Sequence, residues 1–131
     1  MAPIKQEVKT DKAPGPPMPG IYSQAVISNG MVYCSGSVGL DPATNKMVEG
    51  TVADRTKQCL ANLTNILEAA GTSLENVVKC NVFLSDMSNF TAMNEVYVKY
   101  FGDVKPCRTC VAAYQLPLGT DVEIECIAAL P

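Results

Sequence analysis

The chain is 131 residues long, with 47% hydrophobic and 18% charged residues and a formal net charge of −3. That length accommodates one hydrophobic core and not two, and the balance of apolar to charged residues belongs to a globular body rather than a disordered one. An acidic chain lacks the electrostatic footprint of nucleic-acid binding, and no apolar run approaches the ~20 residues of a membrane span.

Histidine is absent, which removes Ser-His-Asp and Cys-His mechanisms and, with them, most zinc sites. Most of the six cysteines (34, 59, 80, 107, 110 and 126) lie inside apolar periodic segments. Buried free thiols in a reducing compartment fit that placement better than a secreted disulfide framework.

Residues 1–20, MAPIKQEVKTDKAPGPPMPG, carry prolines at 3, 14, 16, 17 and 19 and read as an extended arm rather than a folded element. The segment has no apolar h-region and no arginine, and it bears acids at Glu7 and Asp11. No secretory signal or mitochondrial presequence is expected, and a cytoplasmic location is the default. Residues 21–131 then read as a single domain.

Tyr22–Ile27 and Met31–Ser35 are strand-like runs around Ser28-Asn29-Gly30, a strong hairpin signal because Asn and Gly both accept positive φ. The stretch SGSVGLDPATNK from Ser35 has loop chemistry. It resembles a phosphate-cradling loop only weakly, since no Lys-Ser/Thr follows. Thr51, with Asp54 three residues on, opens a helix as a capping box. Val52, Cys59, Leu60, Leu63, Ile66, Leu67 and Ala70 recur at helical spacing, and Gly71 closes it.

Val77–Leu84 alternates as a strand, with Val78, Cys80, Val82 and Leu84 on one face and Val77, Lys79, Asn81 and Phe83 on the other. Phe90–Phe101 reads as a second helix, with Phe90, Met93, Tyr97, Tyr100 and Phe101 inward and Gly102 as its stop. Thr109–Tyr114 and Val122–Ala129 are the last strands, joined by a turn at Pro117-Leu118-Gly119. The order β-β-α-β-α-β-β predicts an α+β sandwich with two helices on one face of a mixed sheet. In the last strand Val122, Ile124, Cys126 and Ala128 face the helices, while Glu123 and Glu125 fall beside Ile127 on the bare face. Apolar residues mixed with acids on an uncovered sheet invite a partner subunit, so a homo-oligomer is expected.

The segment PCRTCV (106–111) presents two candidate chemistries. A redox Cys-x-x-Cys opens a helix, whereas Cys107 and Cys110 lead into a strand. Residues three apart in a strand point to opposite faces with Cα atoms ~10 Å apart, beyond the ~7 Å limit of a disulfide. A metal site lacks a second cysteine pair or a histidine. If the strand includes Arg108, this arginine shares a face with Cys110 and can present its planar fork to a carboxylate. A salt bridge or subunit-interface pair with Glu123 or Glu125 is the plainer alternative. Cys59, Cys80 and Cys126 read as core residues.

From about Gly20 to Leu130 the chain resembles the YjgF/RidA family of reactive-intermediate deaminases. The segments that carry the resemblance are IYSQAV, YCSGSVGLDP, ILEAAGTSLENVVK, CNVFLSDM, FTAMNEVYVKYF, PCRTCV and VEIECIA, in order and at matching spacing. It implies a chorismate-mutase-like two-layer sandwich that assembles as a homotrimer with clefts between subunits. The activity implied is hydrolysis of enamines and imines (2-aminoacrylate, 2-iminopropanoate, 2-iminobutanoate) to 2-oxo acids and ammonia. No metal or cofactor is implied. Arg108 corresponds to the arginine that grips the substrate carboxylate, and Glu123 to the glutamate that positions the attacking water. Tyr22, Ser35, Asn94 and Cys110 correspond to residues lining the pocket, and Gly36 and Phe83 fall where the pocket closes. Ile21 stands where many members have proline and Ser37 where many have glutamine, which puts substrate preference in question. The family also includes ligand-binding modules, stress-responsive chaperones and translation inhibitors with ribonuclease activity. A ribonuclease would need a basic groove with aromatics, and the lysines form no run while aromatics make up 6%. The remaining alternatives are small-molecule binding without turnover and the ribonuclease activity.

Overall fold

A computed structural model describes residues 4–131, so the Pro3 of the arm lies outside the described residues. The arm enters the sheet: Gln6–Val8 forms strand β1, antiparallel to β2 (Ala25–Ser28), with Glu7 opposite Val26. Beyond β1 the prolines remove the N–H donors that further pairing would need, and a side chain takes over. The buried Gln24 accepts from the Thr10 N–H at 2.8 Å, and its Nε2 lies 3.0–3.2 Å from the carbonyls of Thr10, Ala13 and Pro14. Ala13 is drawn into the core. The expectation of an arm without a folded element therefore fails over 6–8. A three-residue edge strand has no periodicity to read and exists because β2 supplies its hydrogen bonds.

Strand β2 turns into β3 (Met31–Ser37) through Asn29 (φ 52°) and Gly30 (φ 77°), as the hairpin reading requires. Tyr22 lies ahead of β2 rather than in it. Within the stretch expected as loop, β3 runs on to Ser37, and β4 (Leu40–Asp41) pairs with β5 (Lys46–Met47) in a small hairpin. Helix α1 (Val52–Ala70) starts at Thr51: the Thr51 N–H donates to Asp54 Oδ2 at 2.9 Å, and Thr51 Oγ1 accepts from the Ala53 N–H at 3.2 Å. It ends at Gly71 with φ 94°. Val52, Cys59, Leu60, Leu63, Ile66 and Leu67 are all buried.

Strand β6 (Val77–Leu84) buries Val77 and leaves Val78 exposed, the reverse of simple alternation. A register shift between Val77 and Lys79 inserts one residue, and every position beyond it keeps the expected face. Helix α2 (Phe90–Tyr97) is shorter than the expected span to Phe101. Phe101 nevertheless packs on Tyr97 with ring centroids 4.6 Å apart. Lys105 Nζ donates to the carbonyls of Phe101 (2.8 Å) and Val98 (3.3 Å), capping this end. Strand β7 (Cys107–Ala112) begins two residues before the expected Thr109, and β8 (Val122–Ala129) holds its expected bounds.

The main sheet runs β1-β2-β3-β8-β6-β7, antiparallel except for the parallel pair β6–β7. Both helices cover one face, over Val32, Cys34, Cys80, Val82, Leu84, Val122, Ile124, Cys126 and Ala128. This is the expected two-layer α+β architecture. Among the described residues, no helix is long and apolar enough to cross a membrane.

Candidate functional site

Strand β7 includes Arg108, as the carboxylate-fork reading required, and Arg108 lies beside Cys80 of β6 on the helix-covered face. Helix α2 presents Phe90, Asn94 and Tyr97 to it, an i, i+4, i+7 stripe. Arg108 Nη1 donates to Asn94 Oδ1 at 2.6 Å. The guanidinium carbon sits 4.8 Å from the Tyr97 ring centroid and 5.5 Å from that of Phe90. The ion pairs among the described residues are Lys9–Glu7 and Arg55–Asp121, so Arg108 has no carboxylate partner among them. Its half-buried charge is thus available to an anion. Cys110 shares this face and packs partly against the core. Burial raises its thiol pKa, and the nearby Arg108 partly offsets that rise.

Glu123 lies on the other face. It stands opposite Phe83 across β6–β8, while Glu125 stands opposite Asn81, whose Nδ2 donates to Glu125 Oε2 at 3.1 Å. Burial, and then the like charge of Glu125, push the Glu123 carboxyl above the ordinary carboxylate value. Gly36 makes this position possible, because a Cβ there would stand 2.6 Å from Glu123 Oε2. A bulge between Cys34 and Ser37 turns Gly36 outward and Ser37 inward. Ser35 Oγ donates to the Ser23 carbonyl at 2.7 Å, anchoring the segment that carries Tyr22. Tyr22, Ser35, Gly36 and Glu123 line one cavity of about 170 Å3.

The expected residues therefore fall into two clusters on opposite faces. Arg108, Asn94 and Cys110 make one; Tyr22, Ser35, Gly36 and Glu123, with Phe83 beside them, make the other. The salt-bridge alternative for Arg108 is excluded within the chain, because both Glu123 and Glu125 are across the sheet from it. Cys107 points away from Arg108 and donates through Sγ to the Val78 carbonyl at 3.2 Å. Cys107 and Cys110 are free thiols on opposite faces, so the pair forms no disulfide. Cys59, Cys80 and Cys126 are buried, and burial raises the pKa of each, with a hydrogen bond that the Cys126 thiol donates to Cys34 the larger cause at Cys126. Ile21 is exposed. Ser37 is buried and hydrogen-bonds the Cys59 carbonyl at 3.4 Å.

Sequence reasoning missed several supports. Pro14, Pro17 and Leu118 wall the Glu123 cavity. Arg55 reaches from α1 to Asp121, just before β8, with Nε–Oδ1 and Nη2–Oδ2 both at 2.7 Å. Its planar fork was a signal in the sequence, but its partner is 66 residues away. The aromatic stripe beneath Arg108 has helical spacing in the sequence, where such spacing implies only a core face.

The family profile described as Endoribonuclease L-PSP matches residues 11–130. The chain belongs to the YjgF/RidA family. Within that family, it is 50% identical over 112 residues to the mitochondrial protein mmf1 of Schizosaccharomyces pombe, covering 83% of this chain and 68% of the relative. It is 42% identical over 125 residues to the human 2-iminobutanoate/2-iminopropanoate deaminase, covering 95% and 90%. The crystal structure of Escherichia coli TdcF with bound serine superposes with a TM-score of 0.88 at 33% identity, over 96% of this chain and 99% of that one. The fold is the chorismate-mutase-like one of its YjgF/RidA neighbours.

Proposed function

We propose that the chain is a hydrolytic deaminase of small reactive 2-imino acids, 2-iminopropanoate and 2-iminobutanoate, with a composite site formed between copies in a homotrimer. One observation carries this reading: an uncompensated arginine on one face and a carboxylate of raised pKa on the other, too far apart in topology to meet in one chain. Two copies bring such halves together if the β7 edge of one meets the Glu123 face of another. The 42% identity to the human deaminase supports the reaction class, and serine bound to TdcF supports a small amino-acid-like ligand.

In this reading Arg108 holds the carboxylate through charge-assisted hydrogen bonds, each contributing about 1.5–3 kcal/mol. Enamines enter after proton transfer to carbon gives the imine. Glu123 accepts a proton from water as its oxygen adds to C2 of the protonated imine, giving a carbinolamine. The same carboxyl returns the proton to nitrogen; the C–N bond then breaks to release ammonia as the carbinolamine hydroxyl gives its proton back to the Glu123 carboxylate, leaving the 2-oxo acid, and that proton passes on to ammonia as ammonium. Water is the only co-reactant. A carboxyl whose pKa is raised by burial suits both steps, because it must take up and release a proton in one cycle. Tyr22, Ser35, Gly36 and Phe83 border the Glu123 half, and Asn94 and Cys110 the Arg108 half. The reading includes a cytoplasmic site of action, supported by the free buried thiols. Since one relative is mitochondrial, fluorescence imaging of the tagged full chain tests that part.

The test couples a threonine dehydratase to the protein and follows 2-oxobutyrate release, with Arg108→Ala beside the wild type. The wild type accelerates release and the variant loses at least ~10-fold in kcat/KM, as removal of a charged anchor demands. A folded wild type without acceleration overturns the proposal.

A further inference from the structure

We infer that Phe90 and Tyr97 on α2 are positioning residues that hold the Arg108 guanidinium ready for a carboxylate; the inference rests on the deaminase reading of Arg108. An arginine on an edge strand ordinarily samples many rotamers, and a ligand that binds it must freeze them. Here the fork is restrained before any ligand arrives. Asn94 Oδ1 holds one end at 2.6 Å, and the rings of Tyr97 and Phe90 lie against its guanidinium at 4.8 and 5.5 Å. That leaves the other N–H groups without a hydrogen-bonded acceptor among the described residues.

The support beneath is rigid. Tyr97 is buried and packs on Phe101. Lys105 ties the end of α2 to the residues leading into β7, fixing the aromatic stripe relative to the strand that carries Arg108. The Tyr97 hydroxyl is buried and makes no well-formed hydrogen bond among the described residues, with the weakly accepting Cys80 thiol beside it. A hydroxyl so weakly satisfied gains little from burial, so the ring accounts for the position better than the oxygen does. A ring face attracts a cation while adding no competing anion. A carboxylate placed there would instead neutralise Arg108 and block the substrate.

The experiment compares Tyr97→Phe, Tyr97→Leu and Phe90→Leu, each alone and combined with Arg108→Ala, in full-length protein confirmed folded by circular dichroism. Steady-state deamination and calorimetric binding of 2-oxobutyrate are both read. Tyr97→Phe stays within about twofold of the wild type, since the ring is kept. Tyr97→Leu and Phe90→Leu raise KM and weaken 2-oxobutyrate binding about 10-fold while kcat changes far less, the range expected for loss of a partly desolvated cation–π contact. In the Arg108→Ala background they add nothing. Unchanged KM in the leucine variants overturns the inference, as does the same further loss in the Arg108→Ala background, which marks a merely structural role. If Tyr97→Phe loses as much as Tyr97→Leu, the hydroxyl is the active group and the inference also fails. A wild type that binds 2-oxobutyrate without deaminating sinks the deaminase reading alone, and affinity then decides: a loss in Tyr97→Leu supports the positioning role, an unchanged affinity overturns it. A wild type that neither deaminates nor binds overturns both.

Discussion

Glu123 sits where burial and Glu125 both oppose its ionisation. A carboxyl whose folded pKa exceeds its unfolded value of 4.5 favours folding at low pH, and that advantage is lost as pH rises through the folded pKa. Glu123→Gln should therefore raise Tm at neutral pH, with the gain disappearing as pH falls below the unfolded value. Thermal melts across pH 3–8 check this, and an equal gain at all pH values would mean that charge is not the cause. At Gln24 the outlook is different. Its four contacts satisfy the backbone of an arm whose prolines cannot pair. Gln24→Ala leaves those groups unmet and should cost about 2 kcal/mol, read by denaturant unfolding, with faster proteolysis within residues 10–20. Nothing local marked Gln24 for this work. A glutamine after Tyr-Ser is legible only as polar, and its partners lie 10–14 residues upstream.

At the scale of elements, α1 was readable almost to the residue because both ends carry local chemistry: a Thr-x-x-Asp box and a left-handed glycine. β8 was readable because alternation over 122–129 separates its faces. β7 was displaced by two residues, since its edge position leaves it without a clean alternation. Val77 and Val78 take the faces opposite to those that alternation predicts, because a bulge has no periodic signature. What registers α1 against β8 is the bidentate Arg55–Asp121 pair, with side chains only 18% and 22% exposed. Arg55 also reaches the carbonyls of Val48 and Gly50 at 3.3 and 3.2 Å. Arg55→Ala leaves Asp121 and two carbonyls short of a donor and should cost about 2–4 kcal/mol. Chemical unfolding measures it. A loss no larger than that of an exposed pair would show that water replaces the guanidinium.

For the whole molecule, the decisive fact is that Arg108 and Glu123 occupy opposite faces of one sheet. If the site is completed by another copy, Arg108→Ala and Glu123→Gln chains are each inactive, but a mixed oligomer contains intact sites. Co-refolding equal amounts should restore roughly one site in four, because each site draws one subunit of either kind at random. Activity of the mixture against the separately refolded variants is the measurement. Recovery near zero would place both residues in one chain's own site.

The residues in chain order already carry the layer architecture, the helix-covered face of β8, the hairpin at Asn29-Gly30 and the candidate residues of both clusters. These depend on local periodicity, capping and turn chemistry, or on segments matching in order. Folding in three dimensions was needed to show that the arm adds a strand, that Gly36 admits Glu123, that an aromatic stripe lies beneath Arg108, and that Arg108 and Glu123 stand on opposite sides of the sheet. Those facts depend on which distant backbone supplies hydrogen bonds and which side chains meet across elements, and no local pattern encodes such pairings.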